Sequence, residues 1–88
     1  MQKMKVDIIN KAGLHARAAS KLVSLTSSFG STVKIGNEKM VDGKSILSLM
    51  MLAATKGTTL NLEVEGKDEE RAIEAISALF SNRFDEPE

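Results

Sequence analysis

The sequence has no cysteine, no tryptophan and no tyrosine, and its single proline, Pro87, stands next to the last residue. Without cysteine no disulfide can staple a small core, and a reducing cytoplasm suits such a chain. One histidine and no cysteine cannot build a structural zinc site either. Lys and Arg number 12 against 12 Asp and Glu, so no net field draws the chain to nucleic acid or to anionic lipid. The three phenylalanines, Phe29, Phe80 and Phe84, belong to no base-stacking motif. The most apolar stretch runs only from Ile46 to Ala54 and is broken by Ser48, whereas a membrane span needs about 20 residues. The start, Met1 to Lys5, leads into an alternating segment rather than an apolar block, so no secretory signal is expected. These absences point to a cytoplasmic chain that needs no metal or cofactor and does not insert into a membrane.

What is present is patterned. The 88 residues are expected to form one domain, 1–88, with 85–88 as a frayed polar tail. Met4, Val6 and Ile8 alternate with charged residues as in a half-buried strand. From Ala16 the period becomes helical through Ala19, Leu22, Val23 and Thr26, and Phe29-Gly30 is expected to close that helix. Val33 and Ile35 share one face of a second strand. Gly36-Asn37 suits a hairpin turn into a third strand over Lys39 to Val41. Asp42-Gly43 signals another turn, and Ser45 is a plausible N-cap for a short helix over Ile46 to Leu52. Gly57 is expected to end that helix in a left-handed conformation. Leu60, Leu62 and Val64 alternate with Asn61, Glu63 and Glu65, a fourth strand with one wet face. Asp68 is expected to cap a last helix whose stripe is Ala72, Ile73, Ile76, Leu79 and Phe80. The order βαββαβα with one wet sheet face predicts a two-layer α/β (α+β) open-faced sandwich, a mainly antiparallel sheet covered by helices.

The informative segment is Gly13-Leu14-His15-Ala16-Arg17, which sets the only histidine where a loop becomes a helix. The first amides of a helix lack internal partners, and with the helix dipole they form a ready anion site. An N-cap histidine holds its ring beside that site. Arg17 adds a planar fork suited to phosphate oxygens, and Gly13 leaves room where the backbone turns or a partner approaches. A dianionic group bonded to the imidazole fits these residues. A capping histidine followed by an exposed arginine fits them as well.

The same segment, together with Gly43-Lys44-Ser45-Ile46 downstream, resembles the two signature regions of the histidine-containing phosphocarrier (HPr) family. The similarity extends along essentially the whole chain. It implies a carrier in the bacterial phosphoenolpyruvate-dependent sugar phosphotransferase system, with no turnover of its own. The family's histidine takes a phosphoryl group on Nδ1 from enzyme I and gives it to an enzyme IIA. Carried over, His15 is the acceptor, Arg17 neutralises the phosphoryl oxygens, and the amides near Ala16 and Arg17 hydrogen-bond to them. The resemblance also implies the strand order 1-4-2-3. One residue departs from the family, which usually has proline at the position of Ala18. A nitrogen-regulatory paralogue, NPr, shares the chemistry with different partners.

By the same resemblance Ser45 occupies the site of regulatory phosphorylation, used where an HPr kinase/phosphorylase is present. Leu14, Ile46, Leu47 and Met50 are expected as an exposed apolar patch that docks enzyme I and enzyme IIA. A carrier that meets both through one surface is most simply a monomer. A rival on the same fold is a regulatory binding module in which His15 is only a contact. No base and orienting acid can be assigned around any serine, so a hydrolase is not indicated.

Overall fold

Aliphatic residues on alternate positions of four short segments build the sheet. The computed structural model describes residues 1–88. It runs β1 (Gln2–Asp7), α1 (Ala16–Thr26), β2 (Thr32–Gly36), β3 (Met40–Asp42), α2 (Ile46–Met51), β4 (Thr59–Glu65) and α3 (Glu69–Ser81), followed by a 3₁₀ turn over Arg83–Asp85. The strands lie in the order β1-β4-β2-β3, all pairs antiparallel, as the resemblance implied. Val6 faces Leu60 across β1 and β4, while Leu62 faces Ile35 and Val64 faces Val33 across β4 and β2. Those side chains point to one face and are buried. On the other face Glu63 lies directly between Lys3 and Lys34, a favourable cross-strand pattern.

The helices close over the apolar face. Ala18, Ala19 and Leu22 of α1, Leu49 of α2 and Ala72, Ile73, Ile76 and Phe80 of α3 join the strands in one cluster of 18 buried residues. α1 also lies against α2 and α3. Two cross-links fix α1 against the start of α2. Thr26 Oγ1 donates to the Gly43 carbonyl at 2.8 Å, and Lys44 Nζ donates to the Phe29 carbonyl at 2.9 Å. No helix is long and apolar enough to cross a membrane.

Several local expectations are corrected. Met4 is 42% exposed, since the core on that side begins at Val6. α1 ends at Thr26, before Phe29-Gly30, with Ser27 as its C-cap. Gly36 belongs to β2 and the turn is Asn37 to Lys39. Glycine is needed there because a Cβ would lie 2.0 Å from the Lys39 carbonyl oxygen. α2 stops at Met51, and Ala53, with φ 50°, takes the left-handed position expected of Gly57. Gly57 instead sits in the turn before β4, donating its amide to the Ile8 carbonyl.

Asp68 makes no side-chain cap on α3. Its carboxylate reaches across to the α1–β2 connection, accepting from the amides of Gly30 and Ser31 at 3.0 Å each and from the Ser31 hydroxyl. The Ser31 hydroxyl, then the Gly30 amide, hold this carboxyl below its ordinary value despite some desolvation.

The tail 85–88 is not frayed. Arg83, Phe84 and Asp85 all adopt positive φ (56°, 53° and 62°), an uncommon conformation for residues with a Cβ. The fully buried Phe84 ring holds this turn in place, packing edge-on to Phe80 with centroids 4.9 Å apart. The chain is thereby turned back toward the start of α1, where the Lys11 amide donates to the Glu88 carbonyl at 3.0 Å.

Replacing Phe84 by alanine should cost about 3–5 kcal/mol in urea unfolding. A loss below about 1 kcal/mol would mean that the ring is not an anchor. For Asp68, a folded-state value below 3.8 means its contribution is present above that pH and is lost as pH falls through the lowered value. Asp68→Asn should therefore melt below the wild type at neutral pH, with the gap closing in acid below about pH 4.

Candidate functional site

His15 is the N-cap of α1, with extended backbone (φ −84°, ψ −178°), and its carbonyl accepts the first helical bond from Ala19. The ring turns back over the helix end, so that Nδ1 accepts from the Arg17 amide at 3.3 Å. On the opposite edge Nε2 meets Glu86 Oε2 at 2.6 Å. An acceptor at Nε2 and a donor at Nδ1 together specify one neutral tautomer, with the proton on Nε2 and the lone pair on Nδ1. The Nδ1 lone pair thus faces the Arg17 amide in the first turn of α1, where an anion is favoured. The imidazole is one-third exposed, so a reacting group can reach it.

Arg17 is exposed and makes no ion pair, leaving its fork free for an incoming anion. Ala18, at the position where proline was noted as usual, is fully buried in the first turn. An open cleft beside the ring is lined by Lys11, Ala12, His15, Arg17 and Glu86. No group of three or more His, Cys, Asp or Glu side chains is placed to hold a metal ion.

The loop that delivers His15 is fixed by its neighbours. Gly13 has φ +71°, and a Cβ there would come within 2.6 Å of the Ala54 carbonyl oxygen. That same carbonyl accepts from the Leu14 amide at 2.9 Å. The consequence corrects one expectation: Leu14 is only 4% exposed and fills the core beneath the loop instead of joining a surface patch. Ile46 (41% exposed), Leu47 (71%) and Met50 (42%) do stand on the surface, and Met51 (76%) extends the patch. Ser45 caps α2 as expected, its Oγ accepting from the Ser48 amide at 3.2 Å.

Two residues of the site escaped the sequence reading. Asn10, fully buried, donates Nδ2 to the Gly13 carbonyl and to Glu86 Oε1, both at 2.8 Å. Glu86 completes the link to His15. Burial pushes the Glu86 carboxyl up. The hydrogen bonds from Asn10 and His15, with the charges of His15 and Arg17, outweigh that and hold it below its ordinary value. The only forewarning in the sequence was Phe84, an isolated aromatic in an otherwise polar C-terminus.

Comparison with known proteins identifies the family. Residues 2–82 match the family model described as the PTS HPr component phosphorylation site. The chain is 50% identical over 90 residues to the phosphocarrier protein HPr of Pseudomonas aeruginosa, covering all of both chains. It is 41% identical over 87 residues to the phosphocarrier protein NPr of Proteus mirabilis, covering 97% of each. Among solved structures, HPr-C-His from Thermoanaerobacter tengcongensis superposes with a TM-score of 0.95 at 38% identity over the full length of both chains. The chain belongs to the HPr family of phosphocarrier proteins of the phosphotransferase system.

Proposed function

We propose that the protein accepts a phosphoryl group on His15 Nδ1 from enzyme I, with phosphoenolpyruvate as the source, and passes it to an enzyme IIA. The observation that carries this reading is the Nδ1 lone pair held over the start of α1 beside an unpaired Arg17. In the transfer, Nδ1 gives its electron pair to phosphorus as the bond to the donor breaks and its pair leaves with the donor. The Arg17 amide, released from Nδ1, turns to a phosphoryl oxygen together with the Ala16 amide, and the Arg17 guanidinium neutralises the oxygens. A helix end favours an anion by about 0.3–1 kcal/mol, and each charge-assisted hydrogen bond adds about 1.5–3 kcal/mol. Such energies orient the group without trapping it, as a carrier requires. In this reading the protein carries the group between partners and has no turnover of its own.

The patch of Ile46, Leu47, Met50 and Met51 is the surface that docks both partners, and methionine suits a surface that must adapt to more than one. Ser45 at its edge is the regulatory phosphorylation site for an HPr kinase/phosphorylase. A phosphate there suits the helix start, yet it sets about two negative charges into the docking face. The protein works as a cytoplasmic monomer. The HPr branch is favoured over NPr by the higher identity, 50% against 41%.

Incubation with enzyme I, Mg²⁺ and phosphoenolpyruvate should place acid-labile phosphate on the wild type and none on His15→Ala. Equal labelling of both would remove the carrier reading, and a folded but unlabelled wild type would leave the binding module in its place. Aspartate is itself a good N-cap, so Ser45→Asp should keep the melting temperature nearly unchanged while weakening enzyme I binding in calorimetry. Ser45→Ala should do the reverse, losing about 1 kcal/mol of stability with binding retained.

A further inference from the structure

The left-handed turn at Arg83–Asp85 brings one particular carboxylate into the site. Glu86 has little freedom there: Asn10 holds Oε1 at 2.8 Å while Oε2 meets His15 Nε2 at 2.6 Å. Asn10 in turn is fixed from below, because its Nδ2 also donates to the Gly13 carbonyl in the loop that delivers His15. Its buried Oδ1 has no hydrogen-bond partner. A flipped amide would aim that oxygen at two acceptors, the Gly13 carbonyl and Glu86 Oε1, so the orientation is decided. What the arrangement secures is a carboxylate of fixed position against the far edge of the ring.

We infer that Glu86, gripped by Asn10, is a positioning residue that keeps the proton on His15 Nε2, commits the lone pair to Nδ1, and balances the charge of the ring when Nδ1 is phosphorylated. The inference rests on the carrier reading. In the step, the Nδ1 pair forms the bond to phosphorus and the donor's leaving group departs with the pair of the broken bond. Nε2 keeps its proton throughout, so the ring becomes cationic with Glu86 directly opposite. A proton on Nδ1 instead would face the Arg17 N–H, donor against donor, and would leave Glu86 against a bare Nε2 lone pair. The same division of labour orients the imidazole in hydrolytic triads, where a buried carboxylate selects the tautomer.

Phosphoramidate tests this without a partner protein, since it phosphorylates imidazole directly, and phosphorus NMR separates Nδ1- from Nε2-phosphohistidine. The wild type should carry the group almost wholly on Nδ1. Glu86→Ala removes no core group, and freeing the ring should raise the Nε2 share roughly ten-fold or more, as expected for losing a charge-assisted hydrogen bond. Glu88→Gln, which removes a tail charge without touching the ring, should behave as the wild type. Exclusive Nδ1 product from Glu86→Ala, or the same Nε2 share from Glu88→Gln, would overturn the assignment while leaving the carrier reading intact. A wild type that takes no phosphoryl group would overturn both.

Discussion

A helix begins with amides that have no partner, and in this protein one of them is satisfied by the imidazole of the N-cap residue itself. The bond from the Arg17 amide to His15 Nδ1 is long, 3.3 Å, and exposed. It is strong enough to choose which edge of the imidazole faces the helix and weak enough to be exchanged. In the proposed transfer, the donor that serves Nδ1 beforehand can serve a phosphoryl oxygen afterwards, with the helix unmoved. Everything else near the site keeps the N-cap residue where this exchange is possible.

Much of the scaffold is devoted to that end through backbone contacts instead of side-chain packing alone. The Ala54 carbonyl receives Leu14 and leaves no room for a side chain at Gly13, so the loop before His15 rests on the chain that follows α2. Thr26 and Lys44 tie the far end of α1 to the turn before α2. Asp68 locks the connection between α1 and β2 to the start of α3. α1 is therefore held near both ends, and its N-terminus has little freedom to tilt.

The parts legible in the sequence were those decided by near neighbours. Alternation at Leu60, Leu62 and Val64, the stripe on α3 and the cap at Ser45 each follow from local geometry, and each appears as read. His15 stands at the start of α1 as read, because the change from loop to helical period is itself a local signal. The rest depended on choices between locally equivalent options. Gly57 and Ala53 could each end α2, and the short reach from Ala54 to Leu14 favoured the earlier exit. Asp68 had the sequence of an N-cap, yet the amides of Gly30 and Ser31 offered it more donors. Leu14 looked like a surface neighbour of His15 until its amide was seen bound to Ala54. Glu86 lay beyond any local rule, since it stands 71 positions from His15 and meets the ring only where the buried Phe84 turns the chain back.

α2 illustrates how labour is divided between folding and recognition. It is 6 residues long, is capped by Ser45 and buries Leu49 alone among its side chains. So short a helix has almost no stability of its own and depends on its neighbours. Because Ile46, Leu47, Met50 and Met51 contribute little to that anchorage, they are nearly free of folding constraint. Those four positions can be rewritten with Leu49 and the Ser45 cap left in place and the fold little disturbed. If the patch docks partners as proposed, a lineage that acquired new ones could change their address here first, leaving the surroundings of His15 as they were.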